Sequence, residues 1–201
     1  NHWAIIQSIK HISQNNLEGD IVESGVWKGG NLILFKIFLD KYNLSKKIFA
    51  FDTFEGMPIP GSKDFDLKNI DAKNIYDDYK KKNIKWCYSA LEDVKSNINS
   101  FDKNYLHSFN FIKGKVEETL QISDNLPEKI SLLRLDTDFF ESTKKELEVL
   151  YPRLVSGGVL IVDDYGHWKG SKKAVDEYFK LDKNFLWFHR IDYGSRLLIK
   201  K

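Results

Sequence analysis

Apolar residues are spaced along this chain in two modes, and the alternation between them predicts its elements. Trp3, Ile5, Ile6, Ile9 and Ile12 recur at helical spacing, which predicts an entry helix from Trp3 to about Ser13. Asp20-Ile-Val-Glu23 and Lys47-Ile-Phe-Ala-Phe-Asp52 are instead short apolar runs closed by carboxylates, the signature of strands buried on both faces. Between them lie a glycine-bearing turn, Gly25 to Gly30, and a helix from Asn31 to Tyr42 that is apolar on most faces and therefore deeply buried. Further on, the pattern predicts a helix from Ser89 to Asn99, a short strand at Asn110-Phe-Ile-Lys113 and a helix starting over Glu117 to Ile122. Ile130-Ser-Leu-Leu-Arg-Leu-Asp136 is another apolar run with a carboxylate end, and Gly157-Gly-Val-Leu-Ile-Val-Asp163-Asp164 repeats the design. Between these two, Thr143-Lys-Lys-Glu146 has capping-box form. Leu147, Leu150, Tyr151 and Leu154 continue that helix, which Gly157-Gly158 ends. Ala174, Val175, Tyr178 and Phe179 mark a last amphipathic helix. Phe185-Leu-Trp-Phe-His-Arg-Ile and Arg196-Leu-Leu-Ile199 flank a short turn and predict an antiparallel hairpin.

Residues 57–86 break the pattern. Pro58, Pro60 and Gly61 open a polar stretch with little periodicity, read as a long loop. Loops of this length in compact domains are often lids over active sites, and a plain surface insertion is the alternative. Strands alternating with helices give the fold class: α/β, a doubly wound, mainly parallel seven-stranded sheet with a C-terminal antiparallel hairpin, one domain over residues 1–201. That is the Rossmann-like arrangement of class I methyltransferases.

Composition narrows the function classes. Lys+Arg 31 against Asp+Glu 29 is close to balance and predicts neither nucleic acid nor a membrane as partner. Lys80-Lys81-Lys82 and Lys172-Lys173 read as solvated faces. With Cys87 the sole cysteine, no intrachain disulfide or cysteine metal site can form, which suits a reducing, cytoplasmic compartment. The chain opens on Asn1 rather than methionine, as a trimmed sequence would, so the lack of a leader carries no weight. Whether it forms a homo-oligomer is left open.

The carboxylate-ended strands carry the chemistry. In open α/β sheets, ligands sit outside the carboxyl ends of the strands. If the strands ending at Asp136 and at Asp163-Asp164 are neighbours, three carboxylates converge there, and a hard divalent cation such as Mg2+ relieves both their repulsion and their desolvation. Arg134 shares the parity of Asp136 but lies inside its strand, which suits a structural ion pair.

The first turn selects the cofactor. A dinucleotide fingerprint needs a second glycine where the backbone approaches the pyrophosphate, and Glu23-Ser-Gly25-Val-Trp27-Lys-Gly29-Gly30 has Trp27 there. S-adenosylmethionine carries no phosphate, and its sulfonium and amino-acid end suit a turn preceded by Glu23. Asp52 is placed to accept hydrogen bonds from ribose hydroxyls, with Thr53 beside it. A structural carboxylate at Glu23 and a helix cap at Asp52 are the alternatives.

Asp20-Ile-Val-Glu-Ser-Gly-Val-Trp-Lys-Gly-Gly30, Phe51-Asp-Thr-Phe-Glu-Gly-Met-Pro58, Leu135-Asp-Thr-Asp-Phe-Phe-Glu-Ser-Thr143 and Val162-Asp-Asp-Tyr-Gly166 resemble the macrocin O-methyltransferase (TylF-like) family. The resemblance implies an S-adenosylmethionine- and divalent-metal-dependent methyltransferase acting on a sugar hydroxyl of a glycan or glycosylated natural product. It makes Asp136, Asp163 and Asp164 the metal ligands and Asp138 the candidate general base, with His167 an alternative. Asp138 lies two residues after Asp136, so in extended geometry both project to one side. Tyr165 and Trp168 flank His167 and could stack on sugar faces. Two other readings stay open: methylation of a small catechol-like diol, and S-adenosylmethionine binding without catalysis.

Overall fold

The computed structural model describes residues 1–181 and 186–201. The entry helix α1 spans His2–Gln14 and is followed by β1 (Asp20–Ser24), α2 (Gly30–Lys41), β2 (Ile48–Asp52), α3 (Ala72–Lys81) and α4 (Leu91–Phe101). Then come β3 (Phe109–Lys113), α5 (Val116–Thr119), β4 (Ile130–Leu135), α6 (Phe140–Val149), β5 (Leu154–Val162), α7 (Lys169–Phe179), β6 (His189–Arg190) and β7 (Arg196–Ile199). The strands form one seven-stranded sheet in the order β3-β2-β1-β4-β5-β7-β6, with parallel pairing up to β5 and antiparallel pairing of β7 with both β5 and β6. The predicted sheet, parallel with a terminal antiparallel hairpin, is therefore the observed one. Among the described residues, no helix is long and apolar enough to cross a membrane.

Strand parity divides the core. Ile21, Ile48, Ala50, Leu132, Val159 and Ile161 face α1, α2 and α4, while Val22, Phe51, Leu133, Leu135, Leu160 and Val162 face α5, α6 and α7. Both faces of the central strands are thus covered, which is why these runs are unbroken in the sequence. On the first face, Glu23 pairs in register with Arg134. The parity that buries leucine next to leucine also buries a carboxylate next to a guanidinium.

Several local expectations are corrected. Trp3, placed on the apolar face of α1, is 71% exposed, and Ile5, Ser8, Ile9 and Ile12 form the buried stripe. Residues 57–86 are not all loop: α3 forms from Ala72, with Asp71 accepting the Lys73 N–H as its cap. Ala72, Ile75, Tyr76 and Tyr79 supply a stripe at i, i+3, i+4 and i+7. The capping box at Thr143 is not one, because α6 begins at Phe140, and Thr143 is a buried residue inside it. Helix α6 stops at Val149, since Pro152 follows and the Tyr151–Arg153 turn is tight. Leu154 starts β5 instead, and that strand runs through Gly157-Gly158, with Gly157 N–H donating to Lys200 O (2.7 Å). The helix expected over Glu117 to Ile122 is the four-residue α5. Of the first hairpin run, Phe185 lies outside the described residues, and β6 covers His189–Arg190.

Candidate active site

Strand order reverses between β1 and β4, so the chain leaves these two neighbours in opposite directions and opens a crevice at their carboxyl ends. An open cleft sits there, lined on one side by Gly25, Trp27, Asp52 and Thr53 and on the other by Asp136 and Asp138. Met57, Pro58 and Cys87 close a third side. Glu23, Gly29, Gly30, Asp163, Asp164 and His167, also expected at the site, are not among the lining residues.

The glycine turn is built by close approach. A Cβ on Gly25 would lie 1.9 Å from the Asp136 carbonyl oxygen, and its φ of +83° is the left-handed conformation that glycine alone adopts without strain. No side chain fits between β1 and β4 here. Gly29 also has positive φ and caps α2, whereas Gly30 has open space around it and meets neither constraint. Asp52 holds the turn: Oδ2 accepts the N–H groups of Val26 (2.7 Å) and Trp27 (3.0 Å), and Oδ1 accepts that of Phe54 (2.7 Å). Its carboxylate lines the cleft while most of its acceptor capacity goes to backbone. Thr53 donates its hydroxyl to Gly56 O (2.7 Å). Trp27 is about half exposed with φ of +48°, so its indole flanks the cleft rather than packing in the core.

Beneath the cleft, Arg134 is buried among three carboxylates. Its guanidinium reaches Glu23 Oε1 (2.9 Å), Asp136 Oδ2 (2.7 Å) and Asp163 Oδ2 (3.1 Å). This is the structural ion pair expected of Arg134, extended to a hub. Glu23 also accepts from Asn31 Nδ2 (2.9 Å), and its Oε2 has no partner. Burial pushes the Glu23 carboxyl up to about 7, against the pull of Arg134 and Asn31. Glu23 therefore sits below the site as a buried counter-charge. Because its folded pKa is raised, the stability it contributes is complete below about pH 4.5 and is lost as pH rises through 7. At about 1.4 kcal/mol per unit, the rise from 4.5 to about 7 amounts to at most about 3–4 kcal/mol. Glu23→Gln is expected to remove that part of the decline, seen by urea unfolding at pH 5 and 7.5. Identical slopes in the two proteins would show that Glu23 does not titrate.

The acidic cluster itself differs in one member from the expected set. Single oxygens of Asp136, Asp138 and Asp164 all lie within 4.8 Å of one another. Asp163 stands at the edge of this group, against Asp136: besides Arg134, it accepts from Ser195 Oγ (2.6 Å) and from the Asn1 side chain. Burial opposes its charge, but Arg134 and the Ser195 hydroxyl outweigh that and hold its carboxyl below the usual range. Burial pushes Asp136 and Asp164 well up and Asp138 up to about 7; the Asp138 carboxyl adds to the rise at Asp164, whereas a hydrogen bond from Asp164 favours the charge on Asp138. Asp164 Oδ2 is buried without a partner. An all-oxygen donor set, mutually repelling and with an orphaned acceptor, fits a hard divalent cation.

Asp138 reaches this cluster by a route other than extended geometry. Strand β4 ends at Leu135, Asp138 has φ of +67°, and Phe139 N–H donates back to Thr137 O (2.7 Å). An i→i+2 hydrogen bond closing over a residue with positive φ is the strained form of γ-turn. Such strain collects at functional sites and persists only where its surroundings enforce it. His167 packs edge-on against Trp168 (4.9 Å) and Tyr193 (5.9 Å) and is neither a member of the acidic cluster nor a lining residue of the cleft.

Sequence reasoning did not single out Cys87, Ser195 or Glu146. Burial and the carboxylates of Asp138, Asp136, Asp164 and Asp52 push the Cys87 thiol up to about 11, so beside the cleft it is a neutral thiol. Its uniqueness in the chain was the one available signal; Glu146 showed only a capping-box spacing that points to another role, and Ser195 had none, since a distant strand brings it in.

Comparison with known proteins agrees with this fold. The macrocin O-methyltransferase (TylF) family matches residues 4–195. Demethyldecarbamoylnovobiocin O-methyltransferase of Streptomyces niveus is 32% identical over 175 residues, covering 87% of this chain and 63% of that protein. 8-Demethyl-8-(2,3-dimethoxy-alpha-L-rhamnosyl)-tetracenomycin-C 4'-O-methyltransferase of Streptomyces olivaceus is 31% identical over 173 residues, covering 85% and 61%. The chain thus spans a little over three-fifths of the length of these curated relatives. The structure of the O-methyltransferase NovP superposes with a TM-score of 0.83 at 29% identity, covering 99% of this chain and 78% of that one. A putative caffeoyl-CoA O-methyltransferase from Staphylococcus aureus, at 16% identity and a TM-score of 0.59, shares the fold. With nearly its whole length matched and its glycine turn and aspartate strands in place, the chain belongs to the macrocin O-methyltransferase (TylF) family.

Proposed function

We infer that this chain is an S-adenosylmethionine-dependent O-methyltransferase that modifies a sugar hydroxyl of a glycosylated small molecule, with a divalent cation at the aspartate cluster. One observation carries the reading: a single cleft joins the glycine turn and Asp52 to Asp136 and Asp138. A methyl donor on one side and a hydroxyl on the other would meet there. Family membership supports the reaction class, and the activities of the relatives, on demethyldecarbamoylnovobiocin and on a rhamnosyl-tetracenomycin C, support the acceptor class.

The reaction is an in-line displacement at carbon, and the chain's work is position and electrostatics. Gly25, Trp27, Asp52 and Thr53 bind the cofactor side. Asp138, held in its γ-turn, takes the acceptor proton. Residues 57–86 act as a lid on the same single domain: Met57 and Pro58 line the cleft. The buried Asp64 anchors the segment by accepting the Phe140 N–H (2.8 Å) and the Gly61 N–H (2.7 Å). S-adenosylmethionine supplies the methyl group, and a cation lowers the pKa of an oxygen bound to it. Asp136, Asp163 and Asp164, at the ends of neighbouring strands, would hold that ion, leaving Asp138 as base.

Calorimetric titration of S-adenosylhomocysteine, with Mg2+ and then with EDTA, tests the cofactor. Saturable binding is expected, and none in either condition would overturn the reading. Turnover on aryl rhamnosides against catechols separates the sugar acceptor from a diol, and binding without turnover on either would mark a non-catalytic protein. The ligand set has its own test. Asp163→Asn is expected to weaken Mn2+ binding at least about tenfold and Asp138→Asn no more than about threefold; the opposite order would make Asp138 the third ligand.

A further inference from the structure

Glu146 is fully buried in α6, and no Lys or Arg among the described residues forms an ion pair with it. Its Oε2 accepts from the Thr137 hydroxyl (3.0 Å), and its Oε1 has no well-formed hydrogen bond. Beside it lies the hydroxyl of Ser24, which favours its charged form and is likewise buried without a well-formed partner of its own. Glu146 is therefore wedged between the two strand ends that build the cleft. Ser24 O accepts the Asp136 N–H (2.9 Å), and Thr137 stands between Asp136 and Asp138. The same helix adds a second hold, as Ser142 Oγ donates to Thr137 O (3.2 Å), the oxygen that also closes the γ-turn.

We propose that Glu146 is a positioning residue, which holds the Thr137 hydroxyl and, together with Ser142 on the same helix, enforces the strained turn that aims Asp136 and Asp138 into the cleft. The proposal rests on the reading of those two aspartates as cation ligand and base. Thr137 cannot relax without breaking its bond to a helix packed on the sheet. Arg134 holds Asp136 from the face of α2; Glu146 holds Thr137 from the face of α6. Removal of the acid from water and the facing carboxylates of Glu117 and Asp136 agree with a retained proton. A neutral acid can also accept from one hydroxyl and donate to the other, which an anion cannot.

The test compares Glu146→Leu with Glu146→Gln in the full chain, by amide hydrogen exchange over residues 132–141 and by Mn2+ titration. Glu146→Leu is expected to speed exchange in that peptide at least about fivefold, leave α1 and β2 unchanged, and weaken Mn2+ binding about 10–100-fold, the range for residues that support a ligand. Glu146→Gln, neutral and of the same shape, is expected to restore both to within about threefold. Unchanged exchange in Glu146→Leu, or a Glu146→Gln as defective as Glu146→Leu, overturns the proposal. If Glu146→Leu does not fold, Thr137→Val decides in the same way, since it removes only the hydroxyl Glu146 holds. A wild-type chain that binds no Mn2+ would overturn the ligand reading, and hydrogen exchange alone would then decide the clamp.

Discussion

Asp138→Asn is expected to lower methyl transfer by roughly 10²–10⁴-fold, the usual cost of losing a positioned general base. Asparagine has nearly the same shape and keeps the γ-turn, but its amide cannot take a proton from the acceptor. S-adenosylhomocysteine affinity should change by less than about threefold, because Gly25, Asp52 and Thr53 are untouched. The assay is S-adenosylhomocysteine release with an aryl rhamnoside acceptor. His167→Gln in the same assay is expected to cost less than about tenfold, since its ring packs on Trp168 and Tyr193 rather than on the acidic cluster. If the two variants exchange these outcomes, the proton goes to the histidine and the turn at Asp138 serves another purpose.

The second large effect concerns folding. Arg134→Met retains the length and apolar stem of the side chain but leaves Glu23, Asp136 and Asp163 without their shared counter-charge. Breaking a buried ion pair by removing one partner typically costs about 3–5 kcal/mol. In a chain of this size that corresponds to a fall in Tm of about 6–20 °C. The direction with pH follows from the carboxyls left behind. At pH 5 Glu23 and Asp136, whose carboxyls burial already raises, take up protons more readily, so the loss should be smaller than at pH 7.5. Glu23→Gln combined with Arg134→Met should recover part of the loss, because one stranded charge is gone. Equal stability of Arg134→Met and wild type at pH 7.5 would show that the hub contributes nothing.

Both effects depend on features of unequal visibility in the chain. The strands were legible because burial on both faces forbids polar interruptions, and the carboxylates closing β2, β4 and β5 stood out against that background. Their convergence followed from topology, as parallel neighbours must present the same ends. The turn at Gly25 was legible as glycine, though the reason, contact with the Asp136 carbonyl, belongs to another strand. Helix α3 was visible in Ala72, Ile75, Tyr76 and Tyr79 but was masked by the surrounding lysines, aspartates and asparagines. Thr143 and Glu146 matched a capping box by spacing alone. Tertiary structure uses them otherwise, because the Phe139–Phe140 junction docks on Asp64 and starts the helix earlier.

What the sequence by itself determined is the order of apolar runs, hence the sheet, and the residues that stand at its carboxyl edge. Short-range patterning suffices for this, since the period of a strand and the conformational freedom of glycine are local properties. Tertiary structure alone decided how those edge residues divide their work. Asp163 turns to Arg134 and Ser195, Asp138 enters the cluster through a γ-turn, and β5 runs on through two glycines because Lys200, just after β7, supplies their hydrogen bonds. Each depends on partners that other elements bring in: Ser195 and Lys200 lie more than 30 residues from the groups they bind, and the turn at Asp138 bonds to the helix that follows it. Of the side chains that settle these choices, Arg134 shows locally only its parity with Asp136, Glu146 only a capping-box spacing and Ser195 nothing, because burial and charge compensation belong to the packed molecule.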